Sequence, residues 1–141
     1  MKYDIEILQK KDIPSYKSLI DECFGESNDI EKYHAYSEEK GYKIFVVKDN
    51  NEIIGSVTQY AVDLFTFDFQ PCLMLFNVAV RPNRRRENIA SEMLKYVIEQ
   101  AKDDGYKSIS LTCLGDAYPA HKLYESVGFV RADSVKSNMY F

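Results

Sequence analysis

Residues 84–88 form a polar segment between an apolar run and a helical pattern, which is typical of an anion-binding site. The run, residues 73–80, has the length and β-branched content of a buried strand. Downstream, apolar residues recur at helical spacing: Ala90, Met93, Leu94, Val97, Ile98 and Ala101. The first N–H groups of such a helix lack partners within it, and with the helix dipole they favour a phosphate.

The polar segment and the start of the helical pattern together read Arg85-Arg86-Glu87-Asn88-Ile89-Ala90. It resembles the pyrophosphate loop of the GNAT superfamily of acetyl-CoA-dependent N-acetyltransferases, Arg/Gln-x-x-Gly-x-Gly/Ala. Asn88 replaces the central Gly, at a position that is expected to need either a positive φ or a close backbone approach. Asn is the non-Gly residue that accepts a positive φ most readily. We therefore expect Asn88 to keep the loop conformation, and we expect Glu87 to point away from the anion.

A second segment, residues 120–129, resembles the family pattern Ala-x-x-Leu-Tyr-x-x-x-Gly-Phe. It follows the first motif after one predicted helix and one predicted strand. Family members often carry Asn three residues before the Ala, where this chain has Ala117. Any hydrogen bond from that Asn to the pantetheine arm is then absent or supplied by Asp116 or Thr112. The resemblance is strong over residues 73–129, and residues 1–72 carry no specific motif.

The resemblance implies an N-acetyltransferase that uses acetyl-CoA as co-substrate. The pyrophosphate would lie on the backbone N–H groups of residues 86–91, with Arg side chains adding charge. The pantetheine arm would follow the edge of the strand at residues 78–80, which in this family splays at a bulge. The Val78 N–H is the candidate donor to the acetyl carbonyl. The predicted cofactor-binding residues are Val78, Ala79, Val80, Arg85, Arg86, Glu87, Asn88, Ile89, Ala90 and Ser91.

Tyr124, in the second motif, is the candidate catalytic residue. A phenol of pKa roughly 10 stays protonated at neutral pH and can give its proton to a departing thiolate. The alternative is that Tyr124 is a core aromatic residue on an amphipathic helix. The two family motifs together favour the catalytic role.

No general base is evident, although a protonated amine must lose a proton before it attacks. The predicted strand at residues 73–80 has no acidic residue, only Asn77. Asn77 either contacts the substrate or satisfies a broken ladder. Asp63 and Asp68 are the nearest acidic candidates in sequence, Asp116 is better explained as a helix cap, and water could also remove the proton.

The elements that must position these residues can be predicted from periodicity and turn chemistry. A strand at residues 3–7 precedes a helix that starts at Asp12, with Pro14 in its first turn, and ends at Gly25. A weaker helix covers residues 27–40. Strands at 42–48 and 52–65 form a hairpin through Asn50 and Asn51, and Gly55 marks a bulge or a close approach.

After a connection at residues 66–71, the predicted elements are a strand (73–80), a helix (89–103), a strand (107–113) and a helix (116–128), followed by strands at 129–130 and 135–141. The order β-α-α-β-β-β-α-β-α-β-β predicts a mixed α/β (α+β) fold, with a mostly antiparallel central sheet flanked by helices. It agrees with the GNAT fold. The length of 141 residues suffices for one domain, residues 1–141.

Composition limits the possible partners. A net charge of −4 argues against a dedicated nucleic-acid binder and favours a cationic or amine-bearing acceptor. The 11 Tyr and 8 Phe predict an aromatic core or an aromatic-lined cleft, and packing is the preferred interpretation. The resemblance places the first helical region beside the acceptor opening. We expect a small-molecule or protein amine as acceptor, no nucleic-acid or membrane partner, and a monomer or homodimer.

Three cysteines, Cys23, Cys72 and Cys113, show no CxxC spacing, so we expect no disulfide framework and a reducing cytoplasm. Two histidines without Cys or carboxylate spacing predict no metal site. No signal peptide or membrane-spanning run is evident.

Two alternatives to the enzyme remain open. The first is a catalytically inactive GNAT-fold domain that binds acyl-CoA and serves as a sensor or partner module. Asn88, Ala117 and the missing base favour it. The second is a small α/β ligand-binding domain in which the two motifs are fortuitous.

Overall fold

The computed structural model describes residues 3–25, 27–62, 72–111 and 118–130. Within them lie β1 (Ile5–Ile7), α1 (Ile13–Phe24), α2 (Ile30–Ser37), β2 (Tyr42–Asp49), β3 (Glu52–Val62), β4 (Cys72–Val80), α3 (Ile89–Asp103), β5 (Ser108–Leu111) and α4 (Tyr118–Ser126). Short 3-10 turns at Lys10–Asp12 and Pro82–Arg84 precede α1 and follow β4. That residues 1–141 form one domain stays a prediction.

The described strands form one sheet in the order β1-β2-β3-β4-β5. All neighbours are antiparallel except β4 and β5, which are parallel. Alternate residues of β2 join two separate core clusters, Phe45 and Val47 with α3, and Ile44 and Val46 with α1. Because successive strand residues point to opposite faces, α1 and α3 cover opposite faces of the sheet. The predicted mixed, mostly antiparallel fold is confirmed.

The two N-terminal helices differ from expectation at their starts. Asp12 occupies the N-cap position of α1, but its carboxylate does not cap the helix. It instead accepts a hydrogen bond from Nζ of Lys48 on β2 (2.9 Å), a partner 36 residues away. The second helix is shorter than predicted because the Asp29 carboxylate accepts from the Glu31 N–H (3.1 Å) and fixes its start.

The β2–β3 hairpin was predicted correctly, including its turn. Asn50 and Asn51 have φ of 50° and 66°, as a two-residue hairpin turn of type I′ requires. Val47 pairs with Gly55 and Lys48 with Ile53, so β3 has a bulge at Ile54.

Gly55 follows that bulge directly beneath α3. A Cβ at Gly55 would lie 3.0 Å from Cγ2 of Ile89 and 3.3 Å from the carbonyl oxygen of Ala79. Gly55 therefore marks both a bulge and a close approach, the two roles between which the sequence left the choice open.

The strand predicted at residues 129–130 is wrong. The Phe129 N–H donates to the carbonyl oxygen of Tyr124 (3.0 Å) at the end of α4. This N–H is therefore not available for a hydrogen bond to a neighbouring strand. Val130 is 91% exposed. The predicted elements at 66–71 and 135–141, and the ends of those at 52–65 and 107–113, fall outside the described residues. In the described part of the chain no helix is long and apolar enough to cross a bilayer.

Candidate functional site

The site is organised around a bulge in β4. Ser56 pairs with Ala79 and Thr58 with Phe76, so Asn77 and Val78 together face the single residue Val57. Asn77 has a φ of 52°, the left-handed conformation that Asn accepts more readily than other side chains. This backbone requirement is a physical reason for Asn at position 77 that the sequence alone did not reveal.

The bulge changes which residues of β4 face each helix layer. Leu75, Val78 and Val80 all pack on the α3 side, whereas Ala79 packs on the α1 side. An uninterrupted strand would have placed Leu75 and Val78 on opposite faces. Asn77, the inserted residue, is exposed and borders a cavity on the α1 and α2 side.

The cavity has a volume of about 430 Å³, within the range of small-molecule sites. It lies where α1 and α2 meet the ends of β2, β3 and β4. Its described lining residues are Tyr16, Ile20, Phe24, Asn28, Lys32, Tyr33, Tyr36, Tyr42, Ile44, Thr58, Phe76 and Asn77. Half of these twelve residues are aromatic, so this opening is the aromatic-lined cleft that the composition left as the less favoured possibility.

The aromatic rings of the cavity pack against one another. Tyr16 and Tyr33 meet edge to face with ring centroids 5.8 Å apart. Tyr42 contacts Tyr36 at 5.5 Å and Phe76 at 5.7 Å. Such edge contacts fix ring positions, so the wall of the cavity is largely preformed. These tyrosines therefore pack, which was the preferred interpretation, and they also line the cleft.

Three polar groups lie at the α1 side of the cavity, and two of them, Tyr16 and Thr58, are buried. Burial raises the pKa of Tyr16 to about 12, although the neighbouring Thr58 hydroxyl partly offsets the effect. The Thr58 oxygen makes no hydrogen bond of standard geometry among the described residues. Burial works to raise the pKa of Asp21, but hydrogen bonds from Lys17 and Tyr33 bring it below its usual value. The Tyr33 hydroxyl donates to Asp21 over 2.6 Å.

The loop between β4 and α3 has the conformation expected for it. Asn88 has φ 60° and ψ 21°, so the prediction of a positive φ at this residue is confirmed. Arg86 also has a positive φ, 74°, which the sequence did not indicate. The Asn88 side chain does not cap α3. The first-turn N–H groups, at Ile89, Ala90 and Ser91, have no partners within the helix.

The acidic residue of the loop is held by a network on one side. The Glu87 carboxylate accepts from Nε of Arg84 (2.8 Å) and from the Tyr3 hydroxyl (3.0 Å). Arg84 also pairs with Asp49 at the end of β2 (3.0 Å). Hydrogen bonds to Glu87 and Asp49 raise the pKa of Arg84 above its usual range. The Glu87 carboxylate is therefore paired with Arg84, a cation that it shares with Asp49.

The two remaining loop arginines are exposed at the start of α3. Nε of Arg85 donates to the carbonyl oxygen of Val80 (3.3 Å), which ties the loop to the end of β4. Sγ of Cys23 approaches the same oxygen (3.4 Å), and burial raises the pKa of this thiol despite the Arg85 charge. Arg86 and Arg85 are thus the loop cations closest in sequence to the first turn of α3.

Arg81 is a residue whose role was missed. Its buried guanidinium donates to the carbonyl oxygens of Ile53 (2.9 Å) and Ser15 (3.2 Å) and to the Glu22 carboxylate (2.9 Å). These contacts anchor the end of β4 to β3 and α1. The sequence signal for this role was the position of the Arg, between a buried strand and Pro82.

Tyr124 lies on α4, half-buried against the core on the α3 side. Val78, Ala90 and Tyr124 all pack against this one cluster, which includes Ile89. The Tyr124 ring also meets the edge of Phe129, with centroids 6.2 Å apart. The structure thus brings the predicted catalytic Tyr, the β4 bulge and the start of α3 to the same side of the sheet. The ring has the packing role of the alternative interpretation.

The acidic candidates for a general base, Asp63, Asp68 and Asp116, lie outside the described residues, as do Thr112, Cys113 and Ala117. Among the described residues that line the cavity there is no carboxylate and no imidazole. A search of the same part of the chain finds no group of three or more His, Cys, Asp or Glu placed to hold a metal ion.

Comparison with known proteins identifies the architecture. Residues 13–129 match the acetyltransferase (GNAT) family, which excludes the interpretation of the two motifs as fortuitous. Human N-acetyltransferase 8 is 31% identical over 102 residues, which are 72% of this chain. The matched region is 44% of that protein, so the chain spans less than half the length of this relative.

Two further similarities concern bacterial and metagenomic proteins. The ribosomal protein bS18-alanine N-acetyltransferase of Escherichia coli (strain K12) is 28% identical over 111 residues, which cover 78% of this chain and 69% of that protein. An aminoglycoside acetyltransferase, meta-AAC0020, from an uncultured soil metagenomic sample has a crystal structure with trehalose. It superimposes with a TM-score of 0.82 at 20% identity, covering 99% of this chain and 95% of that one. The two proteins share the fold.

Proposed function

The chain belongs to the acetyltransferase (GNAT) family, and we propose that it transfers an acetyl group from acetyl-CoA to a primary amine by direct attack. Relatives named as N-acetyltransferases support the reaction type. The cavity beside β4 is the proposed acceptor site, and the loop at the start of α3 is the proposed site of the CoA pyrophosphate.

The β4 bulge is the observation that carries the proposal. Neither Asn77 nor Val78 has a partner in the β3 register, and the cavity reaches the bulge at Asn77. A bulge leaves backbone groups out of the ladder. The Val78 N–H is therefore the proposed donor to the acetyl carbonyl oxygen, where negative charge develops during attack. A positioned donor of this kind lowers a barrier by about 3–4 kcal/mol.

The loop residues fit a diphosphate. Backbone N–H groups in and beside left-handed residues form concave anion sites, and Arg86 and Asn88 both have positive φ. The first-turn N–H groups of α3 add the positive end of the helix dipole. Glu87, the local anion, is already paired with Arg84. We propose that Arg85 and Arg86 supply charge to the pyrophosphate and that residues 78–80 contact the pantetheine arm.

The proposed reaction is a single displacement. The neutral amine nitrogen attacks the carbonyl carbon, a C–N bond forms and the C–S bond breaks. The Tyr124 hydroxyl gives its proton to the departing thiolate and regains one from solvent. The proton lost by the attacking amine passes to water or to a carboxylate outside the described residues. No acyl-enzyme forms, so no nucleophilic side chain is needed.

The test is acetyl transfer by the purified chain with acetyl-CoA and a panel of primary amines. We expect amine-dependent release of CoA thiol and a product heavier by one acetyl group. The alternative, an acyl-CoA-binding module without catalysis, is favoured by the absence of an acidic group among the described cavity residues. Stabilisation by acetyl-CoA in a thermal shift experiment without thiol release for any amine would support that alternative.

Tyr124→Phe tests the proposed acid separately. Turnover should fall about tenfold or more with little change in acetyl-CoA affinity, since only the proton donor is removed. Tyr96→Phe, which removes a hydroxyl from a partly exposed tyrosine on α3, is the matched control and should leave turnover unchanged. Equal turnover in both variants would leave Tyr124 with a packing role alone.

A further inference from the structure

The charge of the cavity differs from that of the whole chain. Lys32 on α2 is the only charged side chain among the described residues that line it. Nζ of Lys32 donates to Oδ1 of Asn28 (3.2 Å), a neutral partner, and no ion pair within the described residues includes it. The chain as a whole carries a net charge of −4. The described lining of the cavity therefore carries a positive charge and no negative one, in a protein that is acidic as a whole.

The acidic groups nearby do not change this. Asp21 is paired with Lys17 and accepts from Tyr33, so its charge is already matched. Burial is the main cause that raises the pKa of Tyr42, and the charge of Glu39 adds to it. Neither acid lines the cavity. Among the described lining residues, an ammonium group would therefore meet one cation, Lys32, and no carboxylate.

The rest of the wall suits an apolar body. Within the described ranges, six aromatic side chains line the cavity: Tyr16, Phe24, Tyr33, Tyr36, Tyr42 and Phe76. Such rings gain most from burying apolar or aromatic surface, and a volume of about 430 Å³ admits a group of that kind. Lys32 lies on α2 and is exposed, and Asn77 lies on β4 in the bulge. One molecule can thus present an amine to the bulge and an anionic group to α2.

Given the proposed function, we infer that the acceptor is a primary amine with an aromatic or other large apolar body and a carboxylate that pairs with Lys32. An amino acid with a large apolar side chain has this chemistry. The overall charge favoured a cationic or amine-bearing acceptor, and this inference keeps the amine but adds an anionic group. Polycations such as polyamines and aminoglycosides are expected to be poor acceptors because they would bring ammonium groups to Lys32.

Matched acceptors test each part of this inference. Phenylalanine has the amine, the ring and the carboxylate, phenylalaninamide lacks the carboxylate charge, and glycine lacks the ring. Spermidine and kanamycin represent polycations. The value of kcat/KM should be about tenfold higher for phenylalanine than for phenylalaninamide, the scale of one charged hydrogen bond, and lowest for glycine and the polycations.

Variants assign the preference to one side chain. Lys32→Gln should remove the ratio between phenylalanine and phenylalaninamide by lowering only the phenylalanine value, and Lys32→Arg should retain it. Lys95→Gln, the same change at an exposed residue on α3, should leave both values unchanged. Calorimetry with N-acetylphenylalanine and N-acetylphenethylamine, with CoA present, gives a readout that does not require turnover.

The outcomes separate the inference from the proposed function. Lys32-dependent binding of N-acetylphenylalanine without acetylation of any amine would refute the proposed transfer and still support the assigned ligand chemistry. Efficient acetylation of spermidine or kanamycin would overturn the inference and support the transfer. A preference for phenylalaninamide, or a ratio unchanged in Lys32→Gln, would also overturn it, because the carboxylate would then have no role.

Discussion

Two bulges on neighbouring strands have opposite surroundings. In β3, Ile54 is fully buried and the adjacent Gly55 lies against Ile89 and Met93 of α3. In β4, Asn77 is exposed at the edge of a 430 Å³ cavity, and Val78 lies on the α3 side. Both bulges reverse the alternation of their strand. One is filled by a helix and the other is left open to a potential ligand.

The difference teaches that a backbone irregularity acquires a function from what lies over it. Next to the β3 bulge, Gly55 has no side chain, so α3 can approach the strand closely. This approach fixes where the first turn of α3 lies. The β4 bulge uses that fixed position, because Val78 and the start of α3 pack against the same cluster. We infer that the β3 bulge contributes mainly to the stability of the fold and the β4 bulge mainly to the proposed activity.

The largest expected effect is at the filled bulge. Gly55→Val should lower the free energy of unfolding by about 3 kcal/mol, since its added carbons overlap Ile89 and the Ala79 carbonyl. Gly55→Ala, with a Cβ 3.0 Å from Ile89, should lower it by about 1–2 kcal/mol. Denaturant unfolding measures both.

Gly105→Val is the control for this prediction, because nothing lies within 4 Å of a Cβ there and only the positive φ of 86° opposes substitution. A Gly55→Val protein as stable as wild type would mean that α3 can retreat from β3. The contrast between a filled and an open bulge would then fail.

The second prediction concerns the wall behind the open bulge. Burial raises the pKa of Tyr16 from 10.0 to about 12, so its neutral form is favoured in the folded state. This contribution is fully present below pH 10 and is lost as the pH rises to 12. The loss is about 1.4 kcal/mol by pH 11 and at most about 2.7 kcal/mol. The measurement is the free energy of unfolding of wild type and Tyr16→Phe between pH 8 and 11. The difference between the two proteins should shrink as the pH rises.

Tyr36→Phe is the matched control, because Tyr36 lines the same cavity and is partly exposed. It controls for the loss of a tyrosine hydroxyl from this wall. A Tyr16 that ionises near pH 10 would show that the wall is hydrated. The cavity would then be less suited to the apolar acceptor body inferred above.

The third prediction separates backbone from side chain at the open bulge. Asn77→Val should cost about 2 kcal/mol of stability, because a β-branched residue is strained at a φ of 52°. Asn77→Gly keeps that conformation and should change stability by less than about 1 kcal/mol. Its KM for the acceptor should nevertheless rise about fivefold, the scale of one lost hydrogen bond.

This pair of variants decides between the two roles proposed for Asn77. An acceptor KM unchanged in Asn77→Gly would show that Asn is present for its backbone conformation alone. The KM for acetyl-CoA is the internal control, since the proposed pyrophosphate contacts lie on the loop before α3 and should not be affected.

The sequence predicted the parts of this site that depend on local patterns. The apolar run of β4, the helical spacing in α3 and the tolerance of Asn88 for positive φ are properties of consecutive residues. So is the two-Asn hairpin turn. Each was confirmed, because turn chemistry and periodicity act within a few residues.

What could not be predicted depends on partners distant in the chain. The Asp12 carboxylate binds Lys48 rather than its own helix, and the Arg81 guanidinium joins β3 and α1. The aromatic wall exists because α2 packs beside β2, which no single segment encodes. Asn77 follows from the register between β3 and β4, and a bulge has a weak signal in one strand alone.

The smallest expected effect compares the two left-handed Asn residues of the site. Asn77 and Asn88 have similar φ, 52° and 60°, but only Asn77 lines the cavity. Asn88→Gly preserves the loop conformation and removes a side chain from the proposed phosphate site. Affinity for acetyl-CoA should therefore rise by no more than about threefold, with stability changed by less than about 1 kcal/mol.

Equilibrium binding of acetyl-CoA to Asn88→Gly and Asn88→Val checks this expectation. Asn88→Val should bind acetyl-CoA more weakly than wild type, because the strain at positive φ falls on the residue immediately before α3. A large loss of affinity in Asn88→Gly would show that the Asn88 amide itself holds the phosphate. The side chain at the loop would then matter as much as the one at the open bulge, and φ alone would no longer explain why Asn88 replaces Gly.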